Sequence, residues 1–216
     1  MIFLLEHIVR EPLVESISPP LLLMLHGYGS HEQDLFSFAQ ELPKELLIVS
    51  ARAPMALGFG AYAWYTIRMG EGSSKFSDIQ EAIQARELIR SFIGELQQAY
   101  QFDKNKISLM GFSQGAILSY AVALSYPNLI RNVIAMSGYL NEEMISDTQS
   151  LEHYENLSIF CSHGFSDEVI PVEWARRIPK QLENYGIHTR LFEYSAGHGV
   201  APNNFNDMLS WLQNRL

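Results

Sequence analysis

The pentapeptide Gly111-Phe112-Ser113-Gln114-Gly115 constrains the fold of this chain more than any other segment. It stands between two patterns of different period. Before it, Lys106-Ile107-Ser108-Leu109-Met110 is a short β-type run; after it, Ala116, Ile117, Tyr120, Ala121 and Leu124 recur at helical spacing. A strand that turns into a helix within two residues leaves no room for a Cβ where the two cross, so glycines must flank the turn. The serine at the apex must take a strained backbone conformation, at a cost of about 1–3 kcal/mol. What this gains is geometry: Oγ stands clear of the sheet, and the next amide points at the group that Oγ would attack. At ordinary glycine usage, such a pentapeptide arises by chance about 0.09 times in a chain of this size. It needs partners before it carries chemistry.

The same alternation runs along the chain. Leu21–Leu25 is apolar throughout, as a strand buried on both faces should be. Further β-type runs are Leu46–Ser50, Ile107–Met110, Asn132–Met136, Ser158–Ser162 and Thr189–Tyr194. Between them, Asp78–Tyr100 is an amphipathic helical pattern capped by Ser77 or Asp78, and Glu173–Tyr185 and Asn204–Leu216 are further helix candidates. Alternating strands and helices predict an α/β fold with a mostly parallel central sheet and helices on both faces. No linker, repeat or low-complexity tract divides residues 1–216, so one domain is expected. With 47% hydrophobic residues it can bury a full core. No insertion is long enough for a sizeable lid.

Two partners for the serine follow in order. Ser158-Ile159-Phe160-Cys161-Ser162-His163-Gly164 leads to Asp167 and Val169-Ile170-Pro171; Leu191-Phe192-Glu193-Tyr194 leads to Gly197-His198-Gly199. Ser113, Asp167 and His198 thus come in the order nucleophile, acid, base, each beyond the C-terminal end of a β-type run, where open parallel sheets gather their reactive loops. A serine hydroxyl is nearly inert at neutral pH and needs an adjacent base. His198 can supply it, and an acid, Asp167 or its neighbour Glu168, would orient the imidazole and stabilise its cation.

These motifs, with Leu25-His26-Gly27-Tyr28-Gly29, Ala63-Trp64-Tyr65 and Met136-Ser137-Gly138-Tyr139-Leu140, resemble the phospholipase/carboxylesterase family of α/β-hydrolases, which includes bacterial carboxylesterases and acyl-protein thioesterases. The resemblance covers nearly the whole chain. It implies an α/β-hydrolase fold, completed by an antiparallel strand or hairpin around Phe3–Val9. It also implies that the acid is Asp167, three residues after His163-Gly164. There are two departures: Ala116 stands where the family often has a third glycine, and Thr66 where an aspartate often follows the Trp-aromatic pair.

Backbone amides should stabilise the oxyanion, one from Gln114 after the nucleophile and one from Tyr28 in the turn after Leu21–Leu25. His26 and Gly27 are expected to shape that turn. Phe59, Tyr62, Trp64 and Tyr65 form a glycine-interleaved aromatic loop. Core packing explains it; the resemblance instead sets it near the site, with Trp64 and Tyr65 as walls of a substrate pocket. His7, His31, His153, His163 and His188 read as structural, and the single Cys161 as core packing.

Composition narrows the function. A net charge of −9 with scattered basic residues opposes binding to nucleic acid or anionic lipid. With a single cysteine and scattered histidines the chain offers no full set of metal ligands, so no metal and no cofactor is expected. No apolar stretch approaches the roughly 20 residues of a membrane span. Met1–Leu5 lacks a basic n-region, which favours the cytoplasm. The expected function is a serine hydrolase cleaving small-molecule carboxylic esters of short to medium acyl chains. The alternatives are a thioesterase or lysophospholipase on acylated proteins or lysolipids, and a silent hydrolase-fold binding module. A homodimer is compatible with the sequence.

Overall fold

The computed structural model describes residues 3–69, 75–146 and 150–216. The chain opens with β1 (His7–Arg10), β2 (Leu21–Leu25), the short α1 (Gln33–Phe36) and β3 (Leu47–Ala51). Two small hairpins follow, β4 (Met55–Gly58) with β5 (Ala61–Ala63) and β6 (Ile67–Met69) with β7 (Lys75–Ser77). Then come α2 (Ile79–Ala99), β8 (Ile107–Phe112), α3 (Gln114–Ser125) and β9 (Asn132–Met136). The C-terminal part holds β10 (Ser158–Gly164), α4 (Val172–Ala175), α5 (Ile178–Glu183), β11 (Leu191–Tyr194) and α6 (Pro202–Gln213).

Seven strands form the central sheet in the order β1-β3-β2-β8-β9-β10-β11. Every neighbouring pair is parallel except β1 with β3. The expected antiparallel N-terminal strand therefore exists, but over His7–Arg10 rather than Phe3–Val9. From β2 the chain steps outward to β3, returns through α2 to β8, and then steps away in the opposite direction. The loops leaving β2 and β8 diverge at that reversal, which opens a crevice above their C-terminal ends.

Period-two burial explains why β2 reads as wholly apolar. Leu21, Leu23 and Leu25 pack with Ile89, Phe92 and Leu96 of α2 and with α3. Leu22 and Met24 face the other way, against Leu35 of α1 and Met208 and Leu212 of α6. Every residue of α3 is buried, so the helix that follows the pentapeptide is held on all sides. The Asp78 side chain caps α2 by accepting the Glu81 amide at 3.2 Å.

The predicted Glu173–Tyr185 helix is two short helices, α4 and α5. Pro179 is the cause: its ring would collide with the carbonyl four residues earlier, at Ala175, where α4 ends, whereas the first turn of α5 tolerates it. β1 is tied down by the buried Arg10, whose guanidinium donates to the carbonyls of Ala39, Leu42, Pro43 and Leu46 at 2.6–3.2 Å. Burial pushes the pKa of this cation down. Among the described residues, no helix is long and apolar enough to cross a membrane.

Candidate active site

β8 runs through Phe112, two residues beyond its sequence-predicted end, and delivers the chain to Ser113 at φ 52° and ψ −115°. A β-carbon at Gly111 would lie 2.3 Å from Gly115 O, and one at Gly115 only 1.9 Å from Leu25 O. Both obstacles are backbone, so both glycines are obligatory. The departure at Ala116 is matched in the segment after β9: a β-carbon at Gly138 would come within 2.7 Å of the Ala116 methyl. The serine itself is pinned, its N–H donating to Met136 O at 2.9 Å.

The three candidate side chains, 85 and 31 residues apart, meet above the sheet. His198 Nε2 lies 3.0 Å from Ser113 Oγ, and His198 Nδ1 lies 2.7 Å from Asp167 Oδ2. A carboxylate only accepts, so Nδ1 carries the proton and Nε2 is free to receive one from the hydroxyl. Asp167 Oδ1 accepts the Val169 and Ile170 amides at 2.8 and 2.9 Å. The acid side chain is fully buried, while that of His198 is 18% exposed. Glu168, the neighbouring candidate, is exposed. The ring of Phe112 packs against the imidazole of His198 at 4.9 Å.

The turn after β2 is braced from several directions. His26 is buried; its Nδ1–H donates to Gly27 O at 2.7 Å and its Nε2 accepts the Ala53 amide at 3.0 Å. Burial lowers its pKa, and a second proton would break the bond to Ala53. Trp64 Nε1 donates to His26 O at 2.9 Å. Beyond the turn, Gly29 N donates to Tyr62 O and Tyr62 N to Ser30 O, which ties the turn to the β4–β5 hairpin. Gly27 abuts the elbow, since a β-carbon there would stand 3.4 Å from Ser113 Cβ. No hydrogen bond from Tyr28 N or Gln114 N is found among the described residues.

Trp64 and Tyr65 reach the site through their backbones. Gln114 Oε1 accepts the Trp64 amide at 2.9 Å, and Gln114 Nε2 donates to Tyr65 O at 2.8 Å. Their side chains are 2% and 0% exposed, and the Trp64 indole packs on His26 at 5.5 Å. Phe59, by contrast, is fully exposed at the hairpin tip.

Sequence reasoning missed two partnerships here. Arg52 donates from Nε and Nη2 to the two carboxylate oxygens of Glu32, both at 2.7 Å, and its guanidinium lies 4.8 Å from the Tyr62 ring centre. This holds the Glu32 carboxyl down at about 2. The pair spans 20 residues and no local pattern announces it. His163, read as structural, stands 3.2 Å from Asp167 Oδ2; its place four residues before the acid was the available signal.

The chain matches the family model described as Phospholipase/Carboxylesterase over residues 14–216. It is similar to acyl-protein thioesterase 1 of Eremothecium gossypii, at 28% identity over 90% of this chain and 87% of the relative. Among solved structures, the Bacillus cereus carboxylesterase shares the fold with a TM-score of 0.84 at 22% identity, over 98% of this chain and 95% of that one. Zea mays acyl-protein thioesterase 2 gives a TM-score of 0.75 at 18% identity, over 97% and 98% of the two chains.

Proposed function

The chain belongs to the phospholipase/carboxylesterase family of α/β-hydrolases, and on that premise we propose that it is a serine hydrolase cleaving carboxylic esters through an acyl-enzyme on Ser113. The observation that carries this reading is the unbroken line Ser113 Oγ–His198–Asp167, at 3.0 and 2.7 Å.

In the proposed reaction, Ser113 Oγ attacks the ester carbonyl as its proton passes to His198 Nε2. The carbonyl π-electrons move onto oxygen, and the resulting charge is met by the amides of Tyr28 and Gln114. Removing one such donor typically costs about 10²–10³ in turnover. Collapse of the tetrahedral adduct expels the alcohol, which takes the proton from His198. Water then repeats the sequence on the acyl-enzyme, with the same base, and releases the acid. Asp167 stays ionised throughout and stabilises the imidazolium between the two transfers. No step draws on a metal or organic cofactor.

The substrates in this reading are small-molecule esters of short to medium acyl chain, handled in the cytoplasm by a monomer or homodimer without a nucleic-acid partner. The exposed side chains of Tyr28, Phe165 and Val169, adjacent to the oxyanion turn and the acid, support an apolar acyl group at the rim. A thioesterase or lysophospholipase would use the same steps with a different leaving group, and the similarity to an acyl-protein thioesterase favours keeping it as the second reading.

The test begins with a serine-reactive fluorophosphonate. Labelling of the wild type that disappears in Ser113→Ala supports a hydrolase; absence of labelling in folded protein would make it a binding module instead. Acyl esters of graded length, each with its matched thioester, then separate the two enzymatic readings by kcat/KM.

A further inference from the structure

A second imidazole besides that of His198 stands against Asp167. His163 lies on β10, and neither its side chain nor that of Asp167 is exposed at all. His163 Nε2 is 2.9 Å from Ile170 O and 3.2 Å from Asp167 Oδ2. Both neighbours are acceptors, so Nε2 is the protonated nitrogen; its hydrogen goes to Ile170 O, and its electropositive N–H edge lies beside Oδ2. Nδ1 finds no hydrogen-bond partner among the described residues. Burying an imidazole with one nitrogen unsatisfied costs free energy that an apolar side chain of similar volume avoids. Packing alone therefore gives no reason for a histidine here.

Ile170 links the two side chains: its N–H donates to Asp167 Oδ1 and its C=O accepts from His163, while His163 Nε2 stands 3.2 Å from Asp167 Oδ2. The terminal torsion of an aspartate is broad and weakly restrained by itself. The amides of Val169 and Ile170 hold one carboxylate oxygen only. On the other oxygen, Oδ2, His198 Nδ1 donates at 2.7 Å and the Nε2–H edge of His163 lies alongside, restricting the carboxylate plane.

We propose that His163 is a positioning residue of the hydrolytic reaction, which holds the Asp167 carboxylate so that Oδ2 meets His198 Nδ1, through its bond to Ile170 O and its Nε2–H edge 3.2 Å from Oδ2. The inference rests on the assignment of Asp167 as the acid. It acts on turnover rather than on substrate binding, because His163 is buried against the acid and its side-chain partners among the described residues are Ile170 O and Asp167 Oδ2. Misplacing a catalytic group by about 1 Å costs on the order of 10²-fold in rate.

Side-chain geometry supplies the test. In Gln the amide nitrogen comes close to where imidazole Nε2 stands; in Asn it comes where Nδ1 stands, out of reach of Asp167. The variants His163→Gln, His163→Asn and His163→Leu are compared for kcat and KM on p-nitrophenyl butyrate, with circular dichroism and urea unfolding as controls for folding. His163→Leu and His163→Asn should lose about 10- to 100-fold in kcat with KM within about twofold of wild type, and His163→Gln should recover to within about threefold. In an Asp167→Ala background, His163→Leu should cause no further loss, since its effect passes through the carboxylate. A folded Leu or Asn variant with wild-type kcat would overturn the proposal, as would equal impairment of the Gln and Asn variants, or a loss that multiplies in full on Asp167→Ala. If the Leu variant does not fold, the Gln and Asn pair decides. Should Asp167→Ala itself keep wild-type turnover, the assignment of the acid fails, and His163 as its support fails with it.

Discussion

Gln114 holds the backbone of Trp64, its Oε1 accepting the Trp64 amide at 2.9 Å while its Nε2 donates to the next carbonyl, Tyr65 O, at 2.8 Å. The residue after the proposed nucleophile thus joins two functions in the proposed reaction: its amide would meet the oxyanion, and its side chain fastens the aromatic segment to the elbow. Gln114→Leu leaves a buried N–H and a buried C=O without partners, and should lower stability by about 2–4 kcal/mol. Urea unfolding at unchanged m-value measures this. A Leu variant as stable as wild type would show that the clamp contributes nothing.

Ser113→Ala and His198→Ala should each abolish nearly all esterase activity in folded protein. Nucleophile and base act as a unit, so the double variant should be no worse than either single one, with losses on the order of 10⁶. Two losses that multiply, or a His198→Ala enzyme retaining a tenth of the wild-type rate, would remove the base assignment.

The Glu32–Arg52 pair predicts an acid-sensitive turn. Arg52 holds the folded-state Glu32 carboxyl at about 2, against 4.5 for the free group. A depressed carboxyl binds fewer protons folded than unfolded. Its stabilisation is complete above about pH 4.5 and is lost as pH falls towards 2, amounting to roughly 3 kcal/mol by linkage. Wild type and Glu32→Gln should therefore differ in unfolding free energy at pH 6 and converge near pH 2. A gap that stays constant over this range would mean that the pair does not act through charge.

Acyl-chain selectivity separates packing from pocket for Trp64. Each added methylene should raise kcat/KM by up to about 0.8 kcal/mol until the acyl site is full, and the series should then level off and fall. The indole is 2% exposed and bonded to His26 O, so Trp64→Phe should lower kcat by loosening the turn that carries Tyr28. The acyl length at which the series levels off should stay where it is. A shift in that length would make the ring a wall of the pocket.

Most of the sheet was legible in the chain because strands buried on both faces must be apolar throughout, and Leu21–Leu25 and Asn132–Met136 are strands in full. The elbow was legible for a similar reason: backbone contacts at Gly111 and Gly115 exclude any β-carbon, so local chemistry writes the requirement into the residue type. The break between α4 and α5 was not read, because apolar residues at helical spacing on both sides of Pro179 masked it. What only the tertiary structure decided are relations between groups with no local signature. Glu32 meets Arg52 across 20 residues, Gln114 meets Trp64 across 50, and one oxygen of Asp167 has His198 at 2.7 Å and His163 at 3.2 Å. The residue types at these positions are each compatible with an exposed face or an ordinary turn. Their partners are set by how the segments that follow β2, β3, β8 and β10 come together along the C-terminal edge of the sheet. Convergence is a property of the packed sheet, because the distance between loop ends depends on strand order and not on separation along the chain.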